Sequence, residues 1–207
     1  DGGTVATISS YGSLTGIILG DIVTLNSSGA NSDFDNKNFG TGKTVTVQSL
    51  ALAGTDAGNY SIGNQTTTAN ISKKAVTATV SAADKVYDGN ATATVTITYS
   101  GLVGSETLTT GSSSATFSDK NVATEKTVTV NSVTLGNGTN GGLASNYSIT
   151  TGQTTTAAIT KKELTTSLTG TVSKIYNGDT SATLTTSNYS ISGFVGSEGA
   201  TITQTSG

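Results

Sequence analysis

Apolar and polar residues alternate along this chain with a period of two. In Thr92-Ala93-Thr94-Val95-Thr96-Ile97-Thr98-Tyr99 every Thr falls on one face, and Ala93, Val95, Ile97 and Tyr99 fall on the other. Val76, Ala78 and Val80 alternate with Thr77 and Thr79, and Val128 and Val130 with Thr127 and Thr129. Successive strand side chains point to opposite faces, so the pattern predicts half-buried β-strands. Thr suits the wet face, because its branched Cβ favours extended backbone and its hydroxyl can meet water. No window shows the i, i+3, i+4, i+7 spacing of an amphipathic helix. Asp88-Gly89, Asn177-Gly178 and Gly136-Asn137-Gly138 supply turn residues that tolerate positive φ.

The strands belong to repeats. Lys85-Val86-Tyr87-Asp88-Gly89-Asn90 returns as Lys174-Ile175-Tyr176-Asn177-Gly178-Asp179, and the opening Asp1-Gly2-Gly3 matches Asp88-Gly89-Asn90. Gly16-Ile17-Ile18-Leu19-Gly20-Asp21 has later forms in Gly101-Leu102-Val103-Gly104-Ser105-Glu106 and Gly193-Phe194-Val195-Gly196-Ser197-Glu198. Phe34-Asp35-Asn36-Lys37-Asn38 matches Phe117-Ser118-Asp119-Lys120-Asn121, and Asn59-Tyr60-Ser61-Ile62 matches Asn146-Tyr147-Ser148-Ile149. Matching positions lie 83 to 92 residues apart. That period is too long for a solenoid rung and suits a small β domain. The boundaries expected are 1–74 for a first repeat lacking its opening strand, 75–162 for a complete repeat, and 163–207 for a truncated third. The chain reads as a segment of a longer array. Joins such as Ile71-Ser72-Lys73-Lys74-Ala75 hold no Gly/Ser tract or Pro spacer, so neighbours should be held stiffly.

Composition narrows the chemistry. The 207 residues include 43 Thr, 27 Ser and 26 Gly, but no His, Cys, Pro, Met or Trp. Without His there is no Ser-His-Asp or Cys-His pair, and without His or Cys no ordinary zinc, haem or iron–sulfur site. Glu106, Glu125, Glu163 and Glu198 are the only Glu, and they sit in turns or at strand starts, which is no basis for a two-carboxylate glycosidase. No enzyme activity, catalytic residue or cofactor is expected. The net charge is −3 and all ten basic residues are Lys, without a cluster, so nucleic acid is discounted as a partner. The longest apolar run is Leu50-Ala51-Leu52-Ala53, so no membrane insertion is expected in this segment. The absence of Cys fits oxidising surroundings met without disulfides.

The phased segments Lys-Val-Tyr-Asp-Gly-Asn, Gly-Leu-Val-Gly-Ser-Glu, Phe-Ser-Asp-Lys-Asn-Val, Lys-Thr-Val-Thr-Val and Ala-Gly-Asn-Tyr-Ser-Ile resemble the YDG/MBG-type repeat domains of large bacterial surface adhesins, including filamentous-haemagglutinin-like exoproteins. The resemblance implies a secreted, cell-surface location and a structural stalk or fibre segment of an extracellular adhesin. Adjacent repeats would be its partners, with other copies in a filament, glycans or matrix polysaccharide as further ones. In the alternative reading the repeats themselves form a binding module for glycans, matrix polysaccharide or another copy. Asn177 departs from the Tyr-Asp-Gly motif, and the motif carries no catalytic residue over. The fold class expected is all-β, an elongated array of small antiparallel β-sandwiches, immunoglobulin-like or alternatively β-grasp-like.

Several residues carry a sharper reading beside a plain one. Tyr87 and Tyr176 read as aromatics bracing a turn rather than sugar platforms, and Tyr60 and Tyr147 as packing residues whose hydroxyls bond nearby backbone. Tyr11, Tyr99 and Tyr189 are the remaining candidates for a glycan-binding surface. Asp33-Phe34-Asp35-Asn36 and Asp56-Ala57-Gly58-Asn59 are the densest acidic loops, but they lack the spacing of a calcium loop, so no metal is expected. Eight Asn-x-Ser/Thr sequons, Asn26, Asn59, Asn64, Asn70, Asn90, Asn137, Asn146 and Asn188, are a mild excess over composition. Lys43 and Lys126 occupy matching strand starts. They are isopeptide candidates, with a solvated strand-end Lys that discourages edge pairing as the favoured reading.

Overall fold

A computed structural model of the chain, describing residues 1–203, is all-β. The last four positions of the third repeat, 204–207, lie outside the described residues. The first repeat supplies β1 (Thr24–Asn26), β2 (Asn31–Phe34), β3 (Gly40–Gln48), β4 (Ala51–Ala53) and β5 (Gln65–Ile71). The second supplies β6 (Lys74–Ala75), β7 (Thr77–Ala82), β8 (Lys85–Val86), β9 (Thr92–Ala93), β10 (Val95–Ser100), β11 (Leu108–Phe117), β12 (Ala123–Asn137), β13 (Tyr147–Ser148) and β14 (Thr154–Thr160). The third supplies β15 (Thr165–Leu168) and β16 (Tyr189–Ser192). Three single 3-10 turns are the only helical elements among the described residues.

Two compact units form, and neither coincides with a sequence repeat. The first comprises Asp1–Thr79, Thr98–Ser112 and Val133–Thr150, so the first repeat is completed by parts of the second. The second comprises Val80–Ile97, Ser113–Ser132 and the chain from Thr151 onward, and joins the rest of the second repeat to the third. In the first unit β2, β3 and β5 form an antiparallel sheet, β1 pairs with β4, and β13 pairs with β6 in parallel. In the second unit β8, β14, β12, β11 and β9 lie side by side in that order, and β15 pairs with β16.

The period-two reading holds residue by residue. Val45 and Val47 of β3 are buried in the first unit, and Val128 and Val130 of β12 in the second, with Thr44, Thr46, Thr127 and Thr129 more exposed. Val23, Val76, Val133 and Tyr147 complete the first interior, and Ala93, Ala115, Phe117, Ala157 and Ile159 the second. Both cores are built mainly from Val and Ala, with Tyr147 the one large side chain of the first and Phe117 and Ile159 those of the second.

β3 and β12 carry the same irregularity. Their pairing with β5 and β14 shifts between Gly40 and Lys43, and between Ala123 and Lys126. The residue before each Lys is left-handed, Gly42 at φ 60° and Glu125 at φ 51°. A bulge with a left-handed residue re-aims the next side chain. Beyond the bulge Lys126 stands in phase with Val128 and Val130, and Lys43 with Val45 and Val47, so both face inward, at 7% and 10% side-chain exposure. The expectation of solvated strand-end lysines is corrected here: the inward face of the strand buries their stems, while their amines meet the Asp35 and Asp119 carboxylates at the rim.

Candidate functional site

The recurring motifs build two kinds of turn. The first kind is Gly16–Asp21, Gly101–Glu106 and Gly193–Glu198. Each opens on a left-handed glycine, at φ 84°, 84° and 98°. Each is closed by the amide of the acidic residue donating to the carbonyl three positions earlier, at 3.0, 3.0 and 3.1 Å. A tyrosine from the same repeat pins two of them. The Tyr60 hydroxyl donates to Asp21 Oδ2 at 2.7 Å and accepts from the Ile18 amide at 3.0 Å. The Tyr147 hydroxyl donates to Glu106 Oε2 at 2.6 Å and accepts from the Val103 amide at 3.1 Å. Burial, then the Glu106 carboxylate, pushes the Tyr147 phenol above its ordinary value. The hydroxyls do meet backbone, and each also holds a carboxylate.

The second kind is the Tyr-Asp/Asn-Gly turn, tied down by the lysine that opens the motif. Lys85 Nζ donates to the Asn90 carbonyl at 2.9 Å and the Thr92 carbonyl at 3.1 Å, and it pairs with Asp88 Oδ1 at 2.7 Å. That contact holds the Asp88 carboxyl below the usual range. Lys174 Nζ repeats the arrangement on the Asp179 carbonyl, 2.8 Å, and carboxylate, 2.5 Å, lowering the Asp179 pKa to about 2. The Asp88-to-Asn177 exchange is accommodated because the side chain's backbone duty is to accept: Asp88 from the Asn90 amide at 3.1 Å, Asn177 from the Asp179 amide at 3.3 Å. The negative charge has moved two residues along. The turn glycines Gly2, Gly89 and Gly178 are left-handed, at φ 84°, 83° and 80°.

The two kinds of turn face each other across successive repeats. Val103 of the second repeat lies on Gly2 of the first, so close that a Cβ there would stand 2.5 Å from Val103 Cγ1. Val195 of the third lies on Gly89 of the second, with a corresponding distance of 2.7 Å. Lys37 then pairs with Glu106 at 2.9 Å, and Lys120 with Glu198 at 3.8 Å. The Tyr87 hydroxyl donates to Glu198. In the first joint Asn146 adds two bonds to the preceding repeat, accepting from the Phe39 amide at 2.9 Å and donating to Asn38 Oδ1 at 3.0 Å. The first joint lies wholly within the first unit and the second wholly within the second. Glu106 is 8% exposed and is held below its ordinary pKa by the Tyr147 hydroxyl and then by Lys37. Glu198 is 42% exposed, beside a cavity of about 290 Å³, against about 60 Å³ in the first joint, where Asn146 and Tyr147 take up space.

The remaining candidates are engaged elsewhere or stand alone. Asp33 accepts from the Thr4 hydroxyl at 3.0 Å, Asp56 from the Ile22 amide at 2.8 Å, and Asp35 pairs with Lys43 at 2.7 Å. Lys126 pairs with Asp119 at 2.8 Å. Both carboxylates are half exposed and held below the usual range, chiefly by these lysines. The Tyr99 hydroxyl bonds the Thr110 hydroxyl at 2.8 Å. Tyr11 lines an open cleft of about 260 Å³ with Leu50, Leu52 and Tyr60, and Tyr176 is 92% exposed. Reading each motif alone missed the joint. The available signal was that Gly, Val, Glu and Lys recur in phase.

The YDG domain matches this chain twice, over residues 1–69 and 72–157. No curated protein and no solved structure matches it.

Proposed function

Taking as premise that the chain belongs to the YDG domain family, we propose that it is a structural stalk or fibre segment of a bacterial extracellular adhesin, in which tandem small β-sandwich units follow one another in an elongated array. The observation that carries this reading is the repetition of the joint. Gly2, Lys37, Val103 and Glu106 form it once, and Gly89, Lys120, Val195 and Glu198 form it again. The most recurrent residues of the sequence are thus spent on fixing one repeat to the next. A stalk needs this, since stiffness comes from fixed joints between successive repeats. Its partners are first the adjacent repeats of its own chain, and it works outside the cell without cofactor or catalysis.

Small-angle scattering of the 207-residue chain tests the proposal. A stalk segment gives a radius of gyration well beyond the ~17 Å of a compact globule of this length. A value near that figure would sink the reading.

A further inference from the structure

The two bulged strands carry different chemistry at the same place in the repeat. With Phe34 aligned on Phe117, Lys43 corresponds to Lys126, Asn36 to Asp119, and Asp35 to Ser118. In the second unit Lys126 pairs with Asp119 at 2.8 Å. In the first unit Lys43 meets two side chains. Its Nζ lies 2.7 Å from Asp35 Oδ1 and donates to Asn36 Oδ1 at 2.9 Å. Asp35 also holds the other end of that amide, because Asn36 Nδ2 donates to Asp35 Oδ2 at 3.2 Å. Asn36 Oδ1 accepts a further bond from the Asn38 amide at 3.0 Å. The carboxylate is fixed in turn by the Asn36 backbone amide, which donates to Oδ1 at 3.0 Å. The lysine stem lies along Gly40, where a Cβ would stand 3.2 Å from both Cγ and Cδ, so the bare glycine lets the amine reach the loop.

We propose that Lys43 and Asn36 close an intramolecular isopeptide bond, with Asp35 as the proton carrier. One carboxylate touches both nitrogens that must exchange protons, the attacking amine and the leaving amide. The Lys43 ammonium passes a proton to Asp35, and the neutral Nζ attacks Asn36 Cγ. Oδ1 takes the developing charge, with the Asn38 amide already donating to it. The Nζ–Cγ bond forms, Asp35 returns its proton to Nδ2, and the Cγ–Nδ2 bond breaks. Ammonia leaves and carries off the second Nζ proton as ammonium. Nothing is oxidised or reduced, and no co-reactant is needed. Lys43 holds the Asp35 carboxyl below its usual range, so the neutral amine and protonated acid are scarce and closure is slow. Fixed geometry offsets this, since well-oriented intramolecular groups react at effective concentrations of about 10⁵ M or more. The reaction happens once per chain and needs no turnover. At the second bulge the acyl group is itself the carboxylate that pairs with the lysine, and Ser118 stands where the proton carrier would be, so that pair stays ionic. The bond ties off the 36–43 loop, which presents Lys37 to Glu106 in the first joint.

Mass spectrometry of the full chain, after prolonged incubation in mildly alkaline buffer, tests it. The folded chain should lose the mass of one ammonia. Trypsin should then fail at Lys43 and leave residues 1–37 joined to 38–73. The same incubation in urea should give no joined peptide, because the geometry is gone. Lys43→Arg keeps the charge and much of the stem but cannot form the bond, and Asp35→Ser copies the second repeat and removes the proton carrier. Each should lose the joined peptide. Lys126 and Asp119 in the same wild-type sample should show no loss of water. A folded wild-type chain that keeps its full mass, or that loses ammonia without the joined peptide, overturns the inference. So does a joined peptide in urea or in Asp35→Ser, or a bond between Lys126 and Asp119. The wild-type result decides by itself, whatever the folding of the variants.

Discussion

Gly89→Ala and Gly178→Ala form a matched pair, because the two glycines share a turn and a φ near 80° but differ in what lies over them. A left-handed alanine costs about 1–2 kcal/mol, and the loss of glycine's unfolded-state freedom returns about 0.4–1 kcal/mol. Gly178→Ala should therefore destabilise its turn by about 1 kcal/mol. At Gly89 the new methyl stands 2.7 Å from Val195 Cγ1, far inside the ~3.5–4.0 Å of carbon–carbon contact. Val195 is stiff at χ1, so the joint must shift, and overpacking of this kind costs about 1–3 kcal/mol more. Hydrogen exchange over 193–199 reads the opening of the joint directly. Gly89→Ala should speed exchange there roughly tenfold or more, the equivalent of about 1.4 kcal/mol, while Gly178→Ala leaves it unchanged. Val195→Ala removes the clashing methyl, so the double variant should recover most of the difference as coupling energy. Equal losses in the two glycine variants, or no recovery with Val195→Ala, would refute the docking of the turn on the glycine.

The first joint should have an acid and an alkaline limit. Glu106 is depressed below its ordinary 4.5, so its contribution is complete above that pH and is lost as pH falls through the folded value. Tyr147 is raised above 10.0, so its contribution is complete below that pH and is lost as pH climbs through the folded value. Protection factors of the 101–106 turn, with the intrinsic pH dependence of exchange removed, should be flat between the two limits; Glu106→Gln should abolish the acid limb, and Tyr147→Phe should shrink the alkaline limb to the share of Lys37, whose pKa Glu106 also raises, so an unchanged limb in either variant refutes that assignment. At the bulges, Glu125→Gly should be neutral or stabilise by up to about 1 kcal/mol by relieving a left-handed glutamate, whereas Gly42→Glu should cost about 1 kcal/mol. Urea unfolding measures both, and destabilisation by Glu125→Gly would mean that the glutamate side chain is needed.

What the sequence made legible follows from its local physics. The alternation of Val45, Val47, Val128 and Val130 with Thr is a property of neighbouring residues, and it survives because each strand buries one face. The turn glycines are equally local, since positive φ is a one-residue matter. The burial of Lys43 and Lys126 was also legible, since each stands in phase with two buried valines of its strand, but a charged residue at a strand start reads as solvated until its carboxylate partner is seen. The glutamate of Gly-x-Val-Gly-Ser-Glu was hidden. Its lysine partners lie 69 residues away in one joint, Lys37 to Glu106, and 78 in the other, Lys120 to Glu198. Charge pairing over such separations leaves no periodicity to read.

The joint also accounts for which residues the repeats hold constant. A core position filled by Val or Ala accepts another small apolar side chain at modest cost, because volume is what matters there. Each joint position answers to a particular atom. The glycine must be bare for valine to approach, and the glutamate must reach the preceding lysine: Glu106 offers one oxygen to Tyr147 and the other to Lys37, while Glu198 Oε1 meets both Tyr87 and Lys120. An exposed ion pair alone is worth only ~0–1 kcal/mol, too little to hold separate molecules together. Here Ser72 and Lys73 are all that separate β5 from β6, so the partners are presented to each other at the high effective concentration of a short tether. Weak, specific contacts then suffice between neighbours in one chain.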